Sequence, residues 1–221
     1  MSQELIHVYL MPGMAASPLI FEHINLPEDK FRLHYLEWIL PLEEETLTSY
    51  ALRMSENIHH DSPVLLGVSF GGVLVQEMSK HLNVKKLIIV SSVKSKQEIP
   101  MHMQLAGSTG VYKLLPTQLA AKIDILEKYA FGKNFTKRLK LYKRYLSVND
   151  NLYLSWAIKQ MVSWGQKEFD NDIVHIHGDN DAVFPIKNIS NCIIIPNGTH
   201  IMIINKYRWF NAHLADIILE Y

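Results

Sequence analysis

The sequence of 221 residues lacks several features that mark particular classes of protein. Its one cysteine, Cys192, excludes an intrachain disulfide and is typical of a reducing compartment. Its 22 basic and 22 acidic residues cancel, so the net charge does not favour nucleic acid or an anionic membrane as a partner. No apolar run approaches the roughly 20 residues of a membrane span, and the first residues lack the basic segment and apolar core of a secretory signal. We therefore expect a cytoplasmic protein.

Short apolar runs rich in β-branched residues alternate with amphipathic runs along most of the chain. Strands are predicted, several of them continuously apolar, at about 4–10, 32–36, 63–68, 86–92, 172–177 and 191–195. Helices are predicted to start at Ser17-Pro18 and to span about 47–59, 71–82 and 202–220. This alternation predicts an α/β fold, a three-layer α/β/α sandwich around a mostly parallel sheet of about six strands.

The alternation stops between about residues 94 and 168. There the pattern predicts helices only, at about 117–131, 135–147 and 150–164. We expect this segment to be a helical cap inserted into a single domain that spans 1–221. The segment holds 11 Lys and 2 Arg against 3 Glu and 2 Asp, a net charge of +8. A solvated basic helix face is the first interpretation, and a surface for an anionic substrate or partner is the alternative.

One serine lies among glycines between a predicted strand and a predicted helix. In PVLLGVSFGGVLVQEM, residues 63–78, Gly67 and Gly71 stand two residues on either side of Ser69. Glycines at these positions permit a turn too tight for Cβ atoms, which exposes the serine hydroxyl for nucleophilic attack. The next N–H group, that of Phe70, lies at a helix start, where partial positive charge favours an oxyanion.

This Gly-x-Ser-x-Gly pattern in its strand–turn–helix context resembles the nucleophile elbow of the α/β-hydrolase family. The resemblance implies that an acid and then a histidine follow the serine along the chain. The stretch DIVHIHGDNDAVFP looks like the family's acid-bearing strand end and assigns the acid to Asp181, with Asp179 as its rival. The stretch PNGTH after the last predicted strand assigns the base to His200.

The resemblance also implies an oxyanion hole built from two backbone N–H groups. In the family, the second donor comes from the loop after the first conserved strand, and HVYLMPGMAASPLIF supplies that loop here. The implied donors are the N–H groups of Met14 and Phe70, with Gly13 at the position of the family's loop glycine. Pro12 stands where the family usually has histidine, which is a departure from its pattern. The family's first two strands are expected to be absent.

The residues and the resemblance together predict a serine hydrolase that cleaves a carboxylic ester or thioester through an acyl-enzyme on Ser69. Its expected partner is a small-molecule substrate, with no nucleic acid, cofactor or metal. An acyltransferase or a C–C hydrolase that uses the same three residues remains an alternative, as does a non-catalytic, ligand-binding member of the fold. Apolar residues of the cap are expected mostly to pack, with one or two at the acyl pocket: Met101, Met103, Leu105, Tyr153, Trp156, Met161 and Trp164.

Two histidine pairs are interpreted as structural. His175 and His177, followed by Asp179, superficially resemble a zinc motif, but Asn180 replaces its next histidine. Both side chains of this pair are expected on one face of a strand, under a covering helix. The pair His59-His60 is interpreted as a favourable position for positive charge at a helix end, and not as a site.

Overall fold

A computed structural model describes residues 5–110, 144–169 and 172–220. The strands are β1 (Ile6–Met11), β2 (Phe31–Tyr35), β3 (Val64–Val68), β4 (Lys86–Val90), β5 (Val174–Gly178) and β6 (Ile193–Ile195). The α-helices are α1 (Leu47–Ser55), α2 (Phe70–Ser79), α3 (Met101–Thr109), α4 (Asn151–Ser163), α5 (Met202–Asn205) and α6 (Tyr207–Leu219). Short 3-10 helices span Pro18–Phe21, Lys96–Glu98 and Ile186–Asn188. Within these ranges, no helix has the length and apolar character needed to cross a membrane.

The six strands form one parallel sheet in the order β2-β1-β3-β4-β5-β6. Each predicted strand corresponds to one of them, which confirms the α/β class and the sheet of about six strands. The order of strands changes direction at β1, because β2 pairs with one side of β1 and β3 with the other. Ligand sites of open α/β sheets lie beyond the carboxyl ends of the strands at such a switch point.

Alternate strand residues enter two separate cores, one on each face of the sheet. On β1, Tyr9 and Met11 belong to one core, and Val8 and Leu10 belong to the other. Helices α1, α2 and α4 cover the first face, whereas α5, α6 and the 3-10 helix Pro18–Phe21 cover the second. All five residues of β3 are buried, as expected for a strand covered on both faces.

The predicted cap, 94–168, is helical where the structure describes regular elements in it. Helix α4 corresponds to the prediction at 150–164, and the Asp150 carboxylate caps it by accepting a hydrogen bond from the N–H of Tyr153. Helix α3 is not predicted by the sequence pattern, because it buries no residue and therefore carries no apolar stripe. The helix predicted at 117–131 and most of the one predicted at 135–147 lie outside the described residues. The cap as a whole stays a prediction.

Of the seven apolar cap residues named from the sequence, four are buried in the core: Tyr153, Trp156, Met161 and Trp164. The indole N–H groups of the two tryptophans donate to the backbone carbonyl of Glu45 and to the carboxylate of Glu77. Buried tryptophans need such acceptors. Met101 and Leu105 on α3 are exposed. Packing is therefore the role of the four buried side chains, as predicted.

Glycines allow the start of α2 to touch the backbone of its neighbours. A Cβ atom on Gly71 would overlap the carbonyl oxygen of Pro12 and lie 2.7 Å from that of Met11. A Cβ atom on Gly67 would overlap the backbone of Gly71 and lie 2.7 Å from Cα of Gly72. Both clashes involve backbone, which cannot rotate away as a side chain can. The turn between β3 and α2 therefore requires glycine at 67 and 71.

We expect Gly71→Ala to lower the free energy of unfolding by about 3 kcal/mol or more, because the added methyl group overlaps a fixed carbonyl. Urea denaturation measures the change. The control is Gly165→Ala, where a Cβ atom would meet only the Ser163 carbonyl oxygen, at an ordinary 3.9 Å. That exposed position is expected to change stability by less than about 0.5 kcal/mol. Equal effects of the two substitutions would show that the backbone contact of α2 is not tight.

Two histidines of β5 are buried as neutral groups. His175 and His177 are 2% and 0% exposed, on one face of the strand as predicted. Nε2 of His177 lies 2.8 Å from the carbonyl oxygen of Phe184, which can only accept, so this nitrogen carries a proton. Nδ1 of His177 then accepts from Nε2 of His175 at 3.1 Å. Burial, together with the smaller effects of His177 and Lys94, lowers the pKa of His175 to about 3.

We expect this burial to make the protein less stable as the pH falls. A histidine whose pKa is lowered on folding is protonated first in the unfolded chain, so its stabilising contribution is complete above about pH 6.5 and declines down to about pH 3. Between pH 7 and pH 5, His175→Leu should therefore lose about 2 kcal/mol less stability than the unaltered chain. Urea denaturation at both pH values measures this difference, with the exposed His81→Gln as control. Parallel pH dependence of all three proteins would contradict the prediction.

Candidate active site

Ser69 lies in a strained turn between β3 and α2. Its backbone has φ 53° and ψ −122°, a conformation that costs a residue other than glycine about 1–3 kcal/mol. The N–H of Ser69 donates to the carbonyl of Val90 at 2.9 Å. The carbonyl of Ser69 accepts from the hydroxyl of Ser92 at 2.7 Å and from the N–H of Gly72 at 2.9 Å. These hydrogen bonds hold the turn in place.

The three side chains predicted as nucleophile, base and acid form one hydrogen-bonded chain. Oγ of Ser69 lies 2.9 Å from Nε2 of His200, and Nδ1 of His200 lies 2.9 Å from Oδ2 of Asp181. They follow β3, β6 and β5, so the parallel sheet brings them together at one edge. The rival acid, Asp179, is exposed, and the contact with His200 belongs to Asp181.

The carboxylate of Asp181 is buried, and both of its oxygens accept hydrogen bonds. Its Oδ1 accepts hydrogen bonds from the N–H groups of Val183 at 2.8 Å and Phe184 at 2.9 Å. Burial raises the pKa of Asp181, but the charge of His200 and the hydrogen bonds from His200 and Phe184 outweigh burial and lower it. Asp181 is therefore ionised at neutral pH. Because a carboxylate only accepts, Nδ1 of His200 carries the proton, and Nε2 is left to accept from Ser69.

The loop after β1 lies against the serine. A Cβ atom on Gly13 would lie 3.3 Å from Cβ of Ser69. The carbonyl of Gly13 accepts a hydrogen bond from the buried indole N–H of Trp38 at 2.8 Å. The next residue, Met14, borders the same cavity as Ser69 and His200. The loop predicted to supply an oxyanion donor is thus adjacent to the serine.

Residues 145–153 of the predicted cap contact the other side of this loop. The N–H of Ser17 donates to the carbonyl of Tyr145 at 2.8 Å, and the N–H of Val148 donates to the carbonyl of Ala15 at 3.0 Å. The hydroxyl of Tyr153 accepts from the N–H of Ala15 at 3.4 Å. Ala15 has φ 63°, a conformation that needs such support in a residue other than glycine.

Trp38 contacts both the Gly13 loop and the first residue of α2, and the sequence does not reveal these contacts. Its indole contacts the Gly13 loop through the hydrogen bond above and stacks on the ring of Phe70, with ring centres 5.3 Å apart. Phe70 is the first residue of α2, where backbone N–H groups have no partner within the helix. One tryptophan after a predicted strand has no spacing or periodicity that would indicate these contacts.

Ser69 and His200 open onto a small cavity of about 80 Å³. Its other lining residues are mostly apolar: Gly13, Met14, Ala16, Ile20, Val68, Tyr145, Leu146, Ile201, Ile203 and Ile204. Two larger grooves, of about 940 and 680 Å³, are lined by other residues and do not include Ser69. As lined by the residues that the structure describes, the space beside the serine is therefore small and apolar.

No protein-family model matches the sequence, and no curated protein does. Solved structures resemble it at low sequence identity. A bromoperoxidase from Bacillus anthracis has a TM-score of 0.72 at 17% identity, over 99% of this chain and 93% of that one. An esterase from Exiguobacterium antarcticum has a TM-score of 0.69 at 17% identity, over 100% and 94%. A thermophilic esterase from Thermogutta terrifontis has a TM-score of 0.64 at 14% identity, over 98% and 92%.

These similarities extend over almost the whole of each chain, so they concern the complete fold and not one motif. They agree with the parallel sheet of six strands and with helices on both of its faces. The chain therefore has the α/β-hydrolase fold.

Proposed function

We propose that the protein is a serine hydrolase that cleaves a carboxylic ester or thioester through an acyl-enzyme on Ser69. The observation that carries this proposal is the hydrogen-bonded chain from Ser69 through His200 to Asp181, next to the Gly13–Met14 loop. Esterases are among the solved structures that resemble this fold, which supports ester chemistry.

In the first step, Oγ of Ser69 attacks the carbonyl carbon of the substrate, and its proton passes to Nε2 of His200. The resulting imidazolium is stabilised by the ionised Asp181, which also fixes the ring orientation. The carbonyl π electrons move to oxygen and give a tetrahedral oxyanion. This oxyanion collapses, the bond to the leaving alcohol or thiol breaks, and His200 returns the proton to the leaving group.

The oxyanion is bound by the backbone N–H groups of Met14 and Phe70. Phe70 begins α2, so its N–H is free of helical hydrogen bonding and lies at the positive end of the helix dipole. Met14 borders the cavity at Ser69, in the loop that Trp38 and Tyr153 hold. Donors fixed in advance by the fold need no reorganisation as the negative charge develops.

Water then completes the reaction. His200 takes a proton from a water molecule, the hydroxide attacks the acyl carbon, and the proton returns to Oγ of Ser69 as the acid leaves. No metal or organic cofactor is needed for these steps, because each charge and proton has a protein partner.

The cavity beside Ser69 favours a short acyl group. Its volume of about 80 Å³ is only about five to eight times the roughly 10–15 Å³ that one water molecule needs. An acyl chain of about two to four carbons fits this space, whereas a longer chain requires the lining to move. The apolar lining also disfavours a charged acyl group.

We expect a fluorophosphonate probe to label Ser69, because the attack on phosphorus uses the same hydroxyl and base. Ser69→Ala should abolish labelling and lower kcat for an aryl ester by about 10⁴-fold or more, and His200→Ala should do the same to kcat. Mass spectrometry of the adduct and steady-state kinetics measure both effects.

Ser79→Ala, at the other end of α2, is the matched control and should keep the activity and the label. Labelling of His200→Ala at the rate of the unaltered chain would show that His200 is not the base. Failure of the unaltered chain to react with the probe would favour the non-catalytic alternative.

We expect kcat/KM for aryl esters to be highest for acetyl to butyryl groups and to fall for octanoyl, because the cavity is small. Ile204→Ala enlarges the lining and should raise the octanoyl to acetyl ratio of kcat/KM by about tenfold. Ile58→Ala removes the same atoms at a half-buried position away from the cavity and should leave the ratio unchanged. A rise in kcat/KM with chain length in the unaltered chain would exclude the short-acyl assignment.

A further inference from the structure

Three histidines outside the proposed active site come together beside strands β1 and β2. His7 lies in β1, His34 in β2, and His60 in the segment between α1 and β3. Each offers one ring nitrogen, and the three nitrogens lie within 4.8 Å of one another. We refer to these residues as the histidine cluster. Because its members are distant in sequence, the fold assembles the cluster and no local motif indicates it.

The closest two nitrogens already lie near the spacing of metal ligands. Nδ1 of His7 and Nε2 of His34 are 2.8 Å apart and share a hydrogen bond. A tetrahedral Zn²⁺ ion holds imidazole nitrogens at about 2.0–2.1 Å, which sets them about 3.3 Å from one another. Zinc binding therefore requires these two nitrogens to separate by about half an ångström. It also requires the rings of His7 and His60, which stack with their centres 3.5 Å apart, to turn their nitrogens toward one point.

Tyr9 holds the third ring. Its hydroxyl lies 2.6 Å from Nδ1 of His60 and accepts from the N–H of His59 at 3.2 Å. Metal-binding histidines commonly donate their second ring N–H to a nearby acceptor, which fixes the tautomer and the ring plane. If Nε2 of His60 binds an ion, Nδ1 of His60 carries a proton and donates it to the hydroxyl oxygen of Tyr9. Tyr9 is then the acceptor that fixes this ligand.

The cluster is reachable and suited to a cation. All three side chains are half-buried, and His34 and His60 line a surface groove of about 680 Å³. A neutral imidazole binds a metal ion through the lone pair of a ring nitrogen, and the cluster offers three such nitrogens.

We propose that the histidine cluster is a Zn²⁺ site with three imidazole ligands and a water molecule from the groove in the fourth position. This assignment differs from the sequence interpretation, which expected no metal and took His59-His60 for a helix-end pair. The ion ties the edge strand β2 to β1 and to the segment before β3. None of the three histidines lines the cavity at Ser69, so the role of the ion is to stabilise the fold.

Zinc binding by the full chain, without an affinity tag and after treatment with a chelator, tests this proposal. We expect one Zn²⁺ per chain in equilibrium dialysis, a rise in Tm on addition of Zn²⁺, and the visible absorption of four-coordinate Co²⁺ when cobalt replaces zinc. The absence of stoichiometric binding, or of the cobalt band, in the unaltered chain overturns the proposal without any variant.

Variants identify the ligands. His34→Gln and His60→Gln should each weaken Zn²⁺ binding by more than about tenfold and remove the cobalt band. His81→Gln, an exposed histidine outside the cluster, is the control and should keep both. His60 lies in a loop, so its variant decides the matter even if His34→Gln does not fold. Unchanged binding in His60→Gln, or an equal loss in His81→Gln, overturns the assignment.

The zinc proposal and the proposed function fail separately. Ser69→Ala should keep Zn²⁺ binding while it loses ester hydrolysis, because Ser69 has no contact with the cluster. A chain that binds zinc but does not react with the fluorophosphonate probe would retain the metal site and lose the hydrolase assignment. The reverse result would retain the hydrolase and remove the metal site.

Discussion

The close approach of the turn after β3 to the loop after β1 is the constraint on which the site depends. Ser69 has a strained backbone, which persists only where its surroundings hold it. The N–H of Ser69 donates to the carbonyl of Val90, and the carbonyl of Ser69 accepts from the hydroxyl of Ser92. Gly71 allows α2 to begin directly against the carbonyls of β1 and of the loop that follows it. The direction of the serine hydroxyl and that of the Phe70 N–H follow from this one turn.

The acid and the histidine meet that turn through the parallel sheet. Loops after neighbouring strands emerge at the same edge, so residues far apart in sequence become neighbours without any local signal between them. Burial of the Asp181 carboxylate is balanced by two backbone N–H groups on one oxygen and by His200 on the other. A buried charge with this many partners stays ionised and keeps its geometry.

The sequence predicts the strands and the loops that follow them, and it misses the contacts that depend on how strands pair. Continuous apolar runs locate the strands, and the loops after them contain Ser69, Asp181 and His200. The helix predicted at 202–220 is two helices in the structure, α5 and α6, separated at Lys206. The sequence pattern does not reveal this break, because the break leaves the apolar stripe intact. The histidine cluster depends on β1 pairing with β2 in a register that sets Tyr9 beside His34. No residue pattern encodes that register, and none encodes the contact of Trp38 with Gly13.

The hydrogen bonds that join residues 15–17 to residues 145–148 have a mechanical consequence. They link the backbone beside the serine to residues that lie between β4 and β5 in the chain. The position of the Met14 N–H, the proposed oxyanion donor beside Ala15, therefore depends on contacts from outside the sheet. The positions of Ser69, Asp181 and His200 depend instead on the loops that follow the parallel strands.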